Sequence, residues 1–464
     1  MAKENMWKQY TDTQNQELEN LNDRYKNCLN TAKTERECVA LGIRMAKEHG
    51  YRDIEECIAE DVCLKAGDKV YAQCMGKALV LFQVGSEPLE KGMNILGAHV
   101  DSPRLDIKQN PLYEDSEMAY LDTHYYGGIK KYQWVTIPLA IHGTVAKKDG
   151  TTIDVVIGED ENDPVVVISD LLIHIAQEQM EKKASVVIEG EGMDVLVGTK
   201  PLADCDDKEE KELVKASILK YLKEKYDMDK EDFLSAELEI VPAGKARDCG
   251  LDRSMVIGYG QDDRVCAFTS LFAMLETEAP KRTSCCILVD KEEIGSVGAT
   301  GMHSRFFEDT IAELSALTGD RDALKVRRTL RNSYMLSSDV SAAYDPLHAS
   351  AFEKKNTAFF GKGLVLNKYT GSRGKVNTSD ANAEYIAKIR KVFDENEVAF
   401  QTAEMGRVDL GGGGTIAYIM ANYGMNVIDS GVAVLSMHAP NEVTSKSDIY
   451  EVYKGYKAFL KNME

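Results

Sequence analysis

The run RTSCCILVD, residues 282–290, is apolar at successive positions and has the pattern of a strand buried on both faces. A strand of this kind cannot lie in a sheet with one wet face. Both of its faces must be covered, and where strand and helix patterns alternate along a chain that favours a mostly parallel sheet covered by helices. The run gives way to KEEIGSVGATG, two adjacent glutamates followed by three glycines. Open α/β sheets bind ligands where their strands end. On extended backbone neighbouring side chains point opposite ways, so Glu292 and Glu293 could serve two partners, one a metal and the other a proton. Taken alone, the pair would read as two solvated loop charges.

The rest of the chain repeats the theme. Residues 1 to about 60 are polar and rich in Glu and Lys with spaced Leu, Ile and Met, the pattern of amphipathic helices. The runs KVYAQC, KALVLFQV and NILGAHV then read as strands. After residue 246 strand and helix patterns alternate through MVIGYGQDDRVCAFTSLFAML, NSYMLSSDVSAAYDP and NVIDSGVAVLSMHAP. Residues 106–245 differ. They hold an Asp149-Gly150 pair between β-rich runs, a strong hairpin signal, and a charged segment starting at DDKEEKEL that reads as a solvated helix. The expected organisation is a catalytic α/β domain, residues 1–105 and 246–464, interrupted by a β-rich insertion over 106–245. A chain of 464 residues is long enough for both.

Charge narrows the function. With 76 acidic against 56 basic residues the formal charge is −20, which opposes binding to nucleic acid or to an anionic membrane. The N-terminal stretch lacks the apolar core of a secretion signal, and no run approaches the roughly 20 apolar residues that span a bilayer. A cytoplasmic location is expected. The ten cysteines show no C-x-x-C spacing, so reduced and mostly buried thiols are expected rather than a zinc knuckle or a disulfide framework.

Five strand-end segments present His, Asp or Glu: His99 with Asp101, Asp262 with Asp263, Glu292 with Glu293, Asp339, and His438. Oxygen and imidazole donors without thiolate suit divalent Zn, Mn or Co in a catalytic site. Two further features bear on a substrate. NKYTGSRGKVNTSDANAE carries Lys368, Arg373 and Lys375, any of which could meet an acidic group. GGGGT at 411–415 offers backbone that a ligand can approach closely, without the lysine of a phosphate loop.

The segments GAHVDSPRLDIK, QDDRV, VDKEEIGSVGATG, SSDVSAAYDP and SMHAPNEV, in this order over residues 97–443, resemble the motif series of the M18 aspartyl aminopeptidases, within the di-metal zinc aminopeptidase superfamily. The resemblance implies a zinc-exopeptidase-like α/β domain with a mostly parallel sheet sandwiched by helices and an inserted β-rich dimerisation domain. It implies two divalent ions per subunit, His99 on one, His438 on the other, and Asp262 bridging them, with Asp263 the alternative bridge. Glu293 and Asp339 would each complete one metal site, Glu292 would be the general base acting with a bridging hydroxide, and Asp101 would orient His99. The substrates implied are peptides with N-terminal Asp or Glu, with Lys368 meeting the acidic side chain. His142, in IPLAIH, would contact substrate in the neighbouring subunit of a dimer, and dimers would assemble to a dodecamer. A broad aminopeptidase, a di-metal deacylase and a non-catalytic self-assembling homologue are the competing expectations.

Overall fold

The apolar run at 282–290 forms a strand over Thr283–Val289, buried along its whole length, in a computed structural model that describes residues 4–203 and 211–464. Its alternate residues enter two different cores. Cys286 and Leu288 join Leu79, Leu81, Leu96, Ala98 and Leu336 on one side of the sheet. Cys285, Ile287 and Val289 join Val80, Phe82, Met93, Ile95 and Met335 on the other. Helices supply the covering layers: Asp12–Thr31, Glu35–Glu48, Gln261–Leu275, Ala383–Glu395 and Lys446–Asn462 over the first face, and Phe306–Leu317, Ala323–Arg331 and Ala417–Ala421 over the second. Each large aliphatic side chain buried this way is worth about 1.5–3 kcal/mol relative to exposure.

This α/β/α assembly belongs to the first of two compact units, which comprises Met1–Asp101, Ala246–Met437 and Glu442–Glu464. Its nine-stranded sheet is parallel at the centre, where Thr283–Val289, Met93–His99, Tyr334–Ser337 and Asn426–Gly431 lie side by side. The flanks depart from the expected parallel order. Lys69–Cys74 and Ala78–Gln83 are joined by only three residues, and a connection that short can return the chain only as an antiparallel hairpin. Leu364–Asn367 is likewise antiparallel to Asn426–Gly431. The expected N-terminal helices form over Asp12–Thr31, Glu35–Glu48 and Ile54–Ala59, the first two each opened by a capping box, Thr11 with Gln14 and Thr34 with Glu37.

The second unit, Ser102–Lys245 with His438–Asn441, is built on a six-stranded antiparallel sheet. Asp149 and Gly150 lie in the turn between Leu139–Ala146 and Thr152–Ile157, with Gly150 at φ +89°, a conformation that favours glycine. The charged segment forms a helix over Leu213–Tyr226, while its beginning, with Cys205, lies outside the described residues. The nine described cysteines are free, and six of them are buried. Cys285 and Cys286 sit back to back on opposite faces of their strand, and burial pushes both thiols far above their ordinary pKa. No helix among the described residues is long and apolar enough to cross a membrane.

The last helix of the first unit ties down the approach to an inner strand. The Asp448 carboxylate accepts the backbone N–H groups of Gly361 at 2.9 Å and Gly363 at 2.8 Å, just before Leu364–Asn367. Burial pushes the Asp448 carboxyl up to about 7. A carboxyl whose pKa is higher folded than unfolded contributes stability that is complete below the unfolded value and lost as pH rises through the folded one. The melting temperature of the wild type minus that of Asp448→Asn should therefore fall as pH rises from about 5 to about 8, at fixed metal and protein concentration. A difference that stays constant across that range in calorimetry would show that Asp448 takes up no proton on folding.

Candidate metal centre

Parallel register sets the site. His99 ends the strand Met93–His99 and is the partner of Val289, the last residue of the neighbouring strand, so the turn carrying Glu292 and Glu293 leaves the sheet beside His99 and Asp101. That turn is not extended. Lys291 takes φ +70° and residues Glu292–Ile294 form a 3-10 turn. With three residues per turn, adjacent side chains still diverge by about 120°, so the two glutamates face different ways for a different reason than strand alternation. Asp101 fixes this turn: its Oδ1 accepts the N–H of Glu292 and its Oδ2 the N–H of Glu293, both at 3.1 Å.

Asp101 also holds the imidazole. His99 Nδ1 lies 2.9 Å from the Asp101 carbonyl oxygen and 3.3 Å from Oδ1, which leaves Nε2 facing Asp262 Oδ1 at 3.4 Å and Glu292 Oε2 at 3.9 Å. Burial alone would lower the His99 pKa, but its hydrogen bonds to Asp101 and Asp262 raise it well above the ordinary value. Asp262 and Asp263 open the helix Gln261–Leu275 with non-helical dihedrals. Gly260 precedes them at φ +65°, and a Cβ there would fall 1.7 Å from Arg264 Nη2. Asp263 accepts the His99 backbone N–H at 3.4 Å and is in neither group of candidate ligands found among the described residues. Asp262 faces the centre. One ligand atom each from His99, Asp262 and Asp339 lie within 4.8 Å of one another, and Asp262 and Glu293 stand in the same relation.

This donor set fits a divalent cation. Burial, reinforced by neighbouring carboxylates, pushes Asp339 far above the usual carboxylate range, and burial does the same to Asp263. The adjacent cation does not neutralise them: Arg264 donates to the carbonyls of Gly260, Ala32 and Tyr259 instead. Nitrogen and oxygen donors converging on excess negative charge are the coordination chemistry of zinc and similar ions.

The remaining expected residues lie on other segments of the chain. His438 has φ +65°, rarely adopted outside glycine, and lies on the short segment His438–Asn441 of the second unit, where its Nδ1 is 2.8 Å from the Gly128 carbonyl oxygen. His142 is buried in the second unit's sheet, its Nε2 3.1 Å from Glu159 Oε1. Lys368 is exposed just past Leu364–Asn367. Lys375 pairs with Asp380 at 3.1 Å and lies over the Tyr369 ring, and the side chain of Arg373 is outside the described set. Glu442 escaped the sequence reading. Buried in the strand Glu442–Ser445, it accepts the Asp262 N–H at 2.9 Å, and its signal was a lone glutamate opening a strand directly after the HAPN motif.

Comparison with known proteins meets this geometry. The family described as aminopeptidase I zinc metalloprotease (M18) matches residues 28–460. A probable M18 family aminopeptidase 1 of Clostridium acetobutylicum is 62% identical over 458 residues, covering 99% of this chain and 98% of that one. The crystal structure of aminopeptidase I from the same organism superposes with a TM-score of 0.92 at 59% identity over the full length of both chains. An M18-family aminopeptidase from Thermotoga maritima superposes with a TM-score of 0.94 at 42% identity, covering 99% of each chain. The chain belongs to the M18 family, and it is a metal-dependent aminopeptidase, a zinc metalloprotease that hydrolyses peptide bonds.

Proposed function

We propose that this aminopeptidase removes Asp or Glu from peptide N-termini with two divalent metal ions per subunit, a reading carried by the convergence of His99, Asp262 and Asp339 beside Glu292. His99 and Asp339 would hold one ion and Glu293 and His438 the other, with Asp262 shared. Asp263 is less suited to that shared place, because its carboxylate already accepts the His99 backbone N–H. Zinc is the family's metal, and Mn or Co suits the same donors. When bound, such ions polarise the scissile carbonyl and lower the pKa of water.

The chain's own residues then do the following. Glu292 takes a proton from the attacking water and passes it to the leaving amine. Asp101 keeps the Glu292 turn and the His99 ring in place, through the two N–H groups and the Nδ1 contact described above. Glu442 holds Asp262 by its backbone. Lys368, exposed just past Leu364–Asn367 and with Lys375 already paired, meets the acidic side chain of the residue removed. His142 reaches substrate in a partner subunit of a two-fold dimer, with dimers assembling further to a dodecamer. The acidic charge and the absence of a membrane-crossing helix among the described residues accord with a cytoplasmic enzyme acting on peptides rather than on nucleic acid or membranes.

Three experiments test these roles. Glu292→Gln keeps the shape of the side chain but cannot accept a proton, so turnover should fall by about 10² to 10⁴ with zinc content unchanged. Near wild-type kcat in that variant would remove Glu292 as the base. Across Asp-, Glu-, Leu- and Lys-anilides and an N-acyl amino acid, the acidic anilides should be cleaved best. Lys368→Ala should lower that preference by about 10- to 100-fold while sparing Leu. Faster cleavage of Leu than of Asp by the wild type would point to a broad aminopeptidase, and hydrolysis of the acylated compound to a deacylase.

The shared site is tested by complementation. His142→Ala and Glu292→Gln should each be nearly inactive, yet random co-assembly should recover about a quarter of wild-type activity, since half the dimers are mixed and one of their two sites is intact. No recovery, with mixed dimers shown by mass spectrometry, would confine His142 to the structure of its own subunit.

A further inference from the structure

The glycine run 411–414 ends in Thr415, whose buried hydroxyl donates to Asp429 Oδ1 at 2.7 Å and accepts the Ala417 N–H at 3.2 Å. Asp429 does not belong to the run or to any group of candidate metal ligands. It sits in the strand Asn426–Gly431, in register with Ser337 on one side and Asn367 on the other. Those neighbours are the last residues of their strands, two positions before Asp339 and one before Lys368. Asp429 thus lies between the strand that leads to Asp339 and the antiparallel strand that leads the other way to Lys368.

The glycines differ in what they need. A Cβ on Gly411 would fall 1.7 Å from the Met405 carbonyl oxygen, so glycine is required there by the chain's own packing. Gly413 would meet only Met405 Sδ, at 3.9 Å, and Gly414 nothing within 4 Å. Neither has a positive φ. The space beside them is open, and the chain itself gives no steric reason for the missing side chains. Gly413 is held by its N–H, which donates to the Thr370 carbonyl at 3.0 Å, in the loop that follows Lys368. Ile416, next after Thr415, packs over Gly97: its Cδ1 is 3.4 Å from where a Cβ on Gly97 would stand, two residues before His99. The run therefore lies between the Lys368 loop and the strand that ends in His99, with open space beside its last two glycines.

We propose that Asp429 is a positioning residue of the aminopeptidase, which through the Thr415 hydroxyl holds the backbone of Gly413 and Gly414 against the main chain of the bound peptide. The substrate group it serves is the peptide backbone on the leaving side of the scissile bond, not the side chain of the residue removed. Bare backbone at Gly413 and Gly414 lets an extended peptide approach closely enough for main-chain hydrogen bonds, which any sequence can make. The carboxylate is the anchor because it is carried on a central strand, while the run it holds is irregular. This inference rests on the proposed site and extends it from the first residue to the rest of the substrate.

The test uses the zinc-loaded enzyme and two substrates with the same N-terminal residue, an anilide and a tetrapeptide. Thr415→Val deletes one hydroxyl and keeps the shape. It should raise KM for the tetrapeptide about five- to tenfold, change the anilide constants less than about twofold, and leave zinc content unchanged. Asp429→Leu should give the same split, and the double variant should be no worse than either single one, because both break one contact. Thr415→Ser, which restores the hydroxyl, should bring the tetrapeptide KM back. Unchanged tetrapeptide KM in Thr415→Val would overturn the proposal, as would an equal loss on both substrates or a loss that follows zinc content. A lowered melting temperature with unaltered kinetic constants would also overturn it, leaving the hydroxyl as a cap on Ala417–Ala421. Preference between Asp and Leu anilides is read separately, so failure of the acidic specificity is distinguishable from failure here.

Discussion

One carboxylate joins the parts of the metal centre that arrive on different strands. Asp101 receives the N–H groups of Glu292 and Glu293 through its two oxygens, and its carbonyl oxygen and Oδ1 face Nδ1 of His99. Remove the carboxylate and the turn after Thr283–Val289 loses both acceptors of its N–H groups, while the imidazole keeps only the Asp101 carbonyl oxygen beside Nδ1. A buried carboxylate is costly unless its oxygens are satisfied, and here the groups that satisfy it are those the chemistry must hold still.

The strands make this junction possible. His99 and Val289 are register partners because both faces of their strands are buried, one in each core, and a slip by one residue would turn each set of side chains to the wrong side. Precision at the site is inherited from packing well beneath it. Glu442, opening a strand of a separate five-stranded sheet, adds a second anchor by holding the Asp262 N–H.

Much of this was legible in the residues. CCILV announced a doubly buried strand, and the ordered series from GAHVD to SMHAP gave the family, which the comparisons bear out. What stayed hidden has physical causes. The Asp101 contact to two backbone amides carries no residue signature at the receiving end, since every residue but proline has that N–H. Glu442 meets Asp262 across 180 positions of sequence, a contact that only strand pairing creates. The antiparallel pairing of Lys69–Cys74 with Ala78–Gln83 followed from a three-residue connection rather than from apolar pattern, which is alike in parallel and antiparallel buried strands. Of the cations near 370 the sequence offered three, and the pairing of Lys375 with Asp380 was decided by how the loop folds back.

The two adjacent thiols at Cys285 and Cys286 show what doubly buried packing does to reactive side chains. They lie on the strand that delivers Glu292 and Glu293, and burial keeps both protonated far beyond neutral pH. Only the thiolate binds soft ions or reacts with oxidants. The strand can therefore carry two sulfurs below the turn of Glu292 and Glu293 as packing atoms in the less reactive thiol form. The same apolar packing that makes the strand keeps both of its thiols protonated.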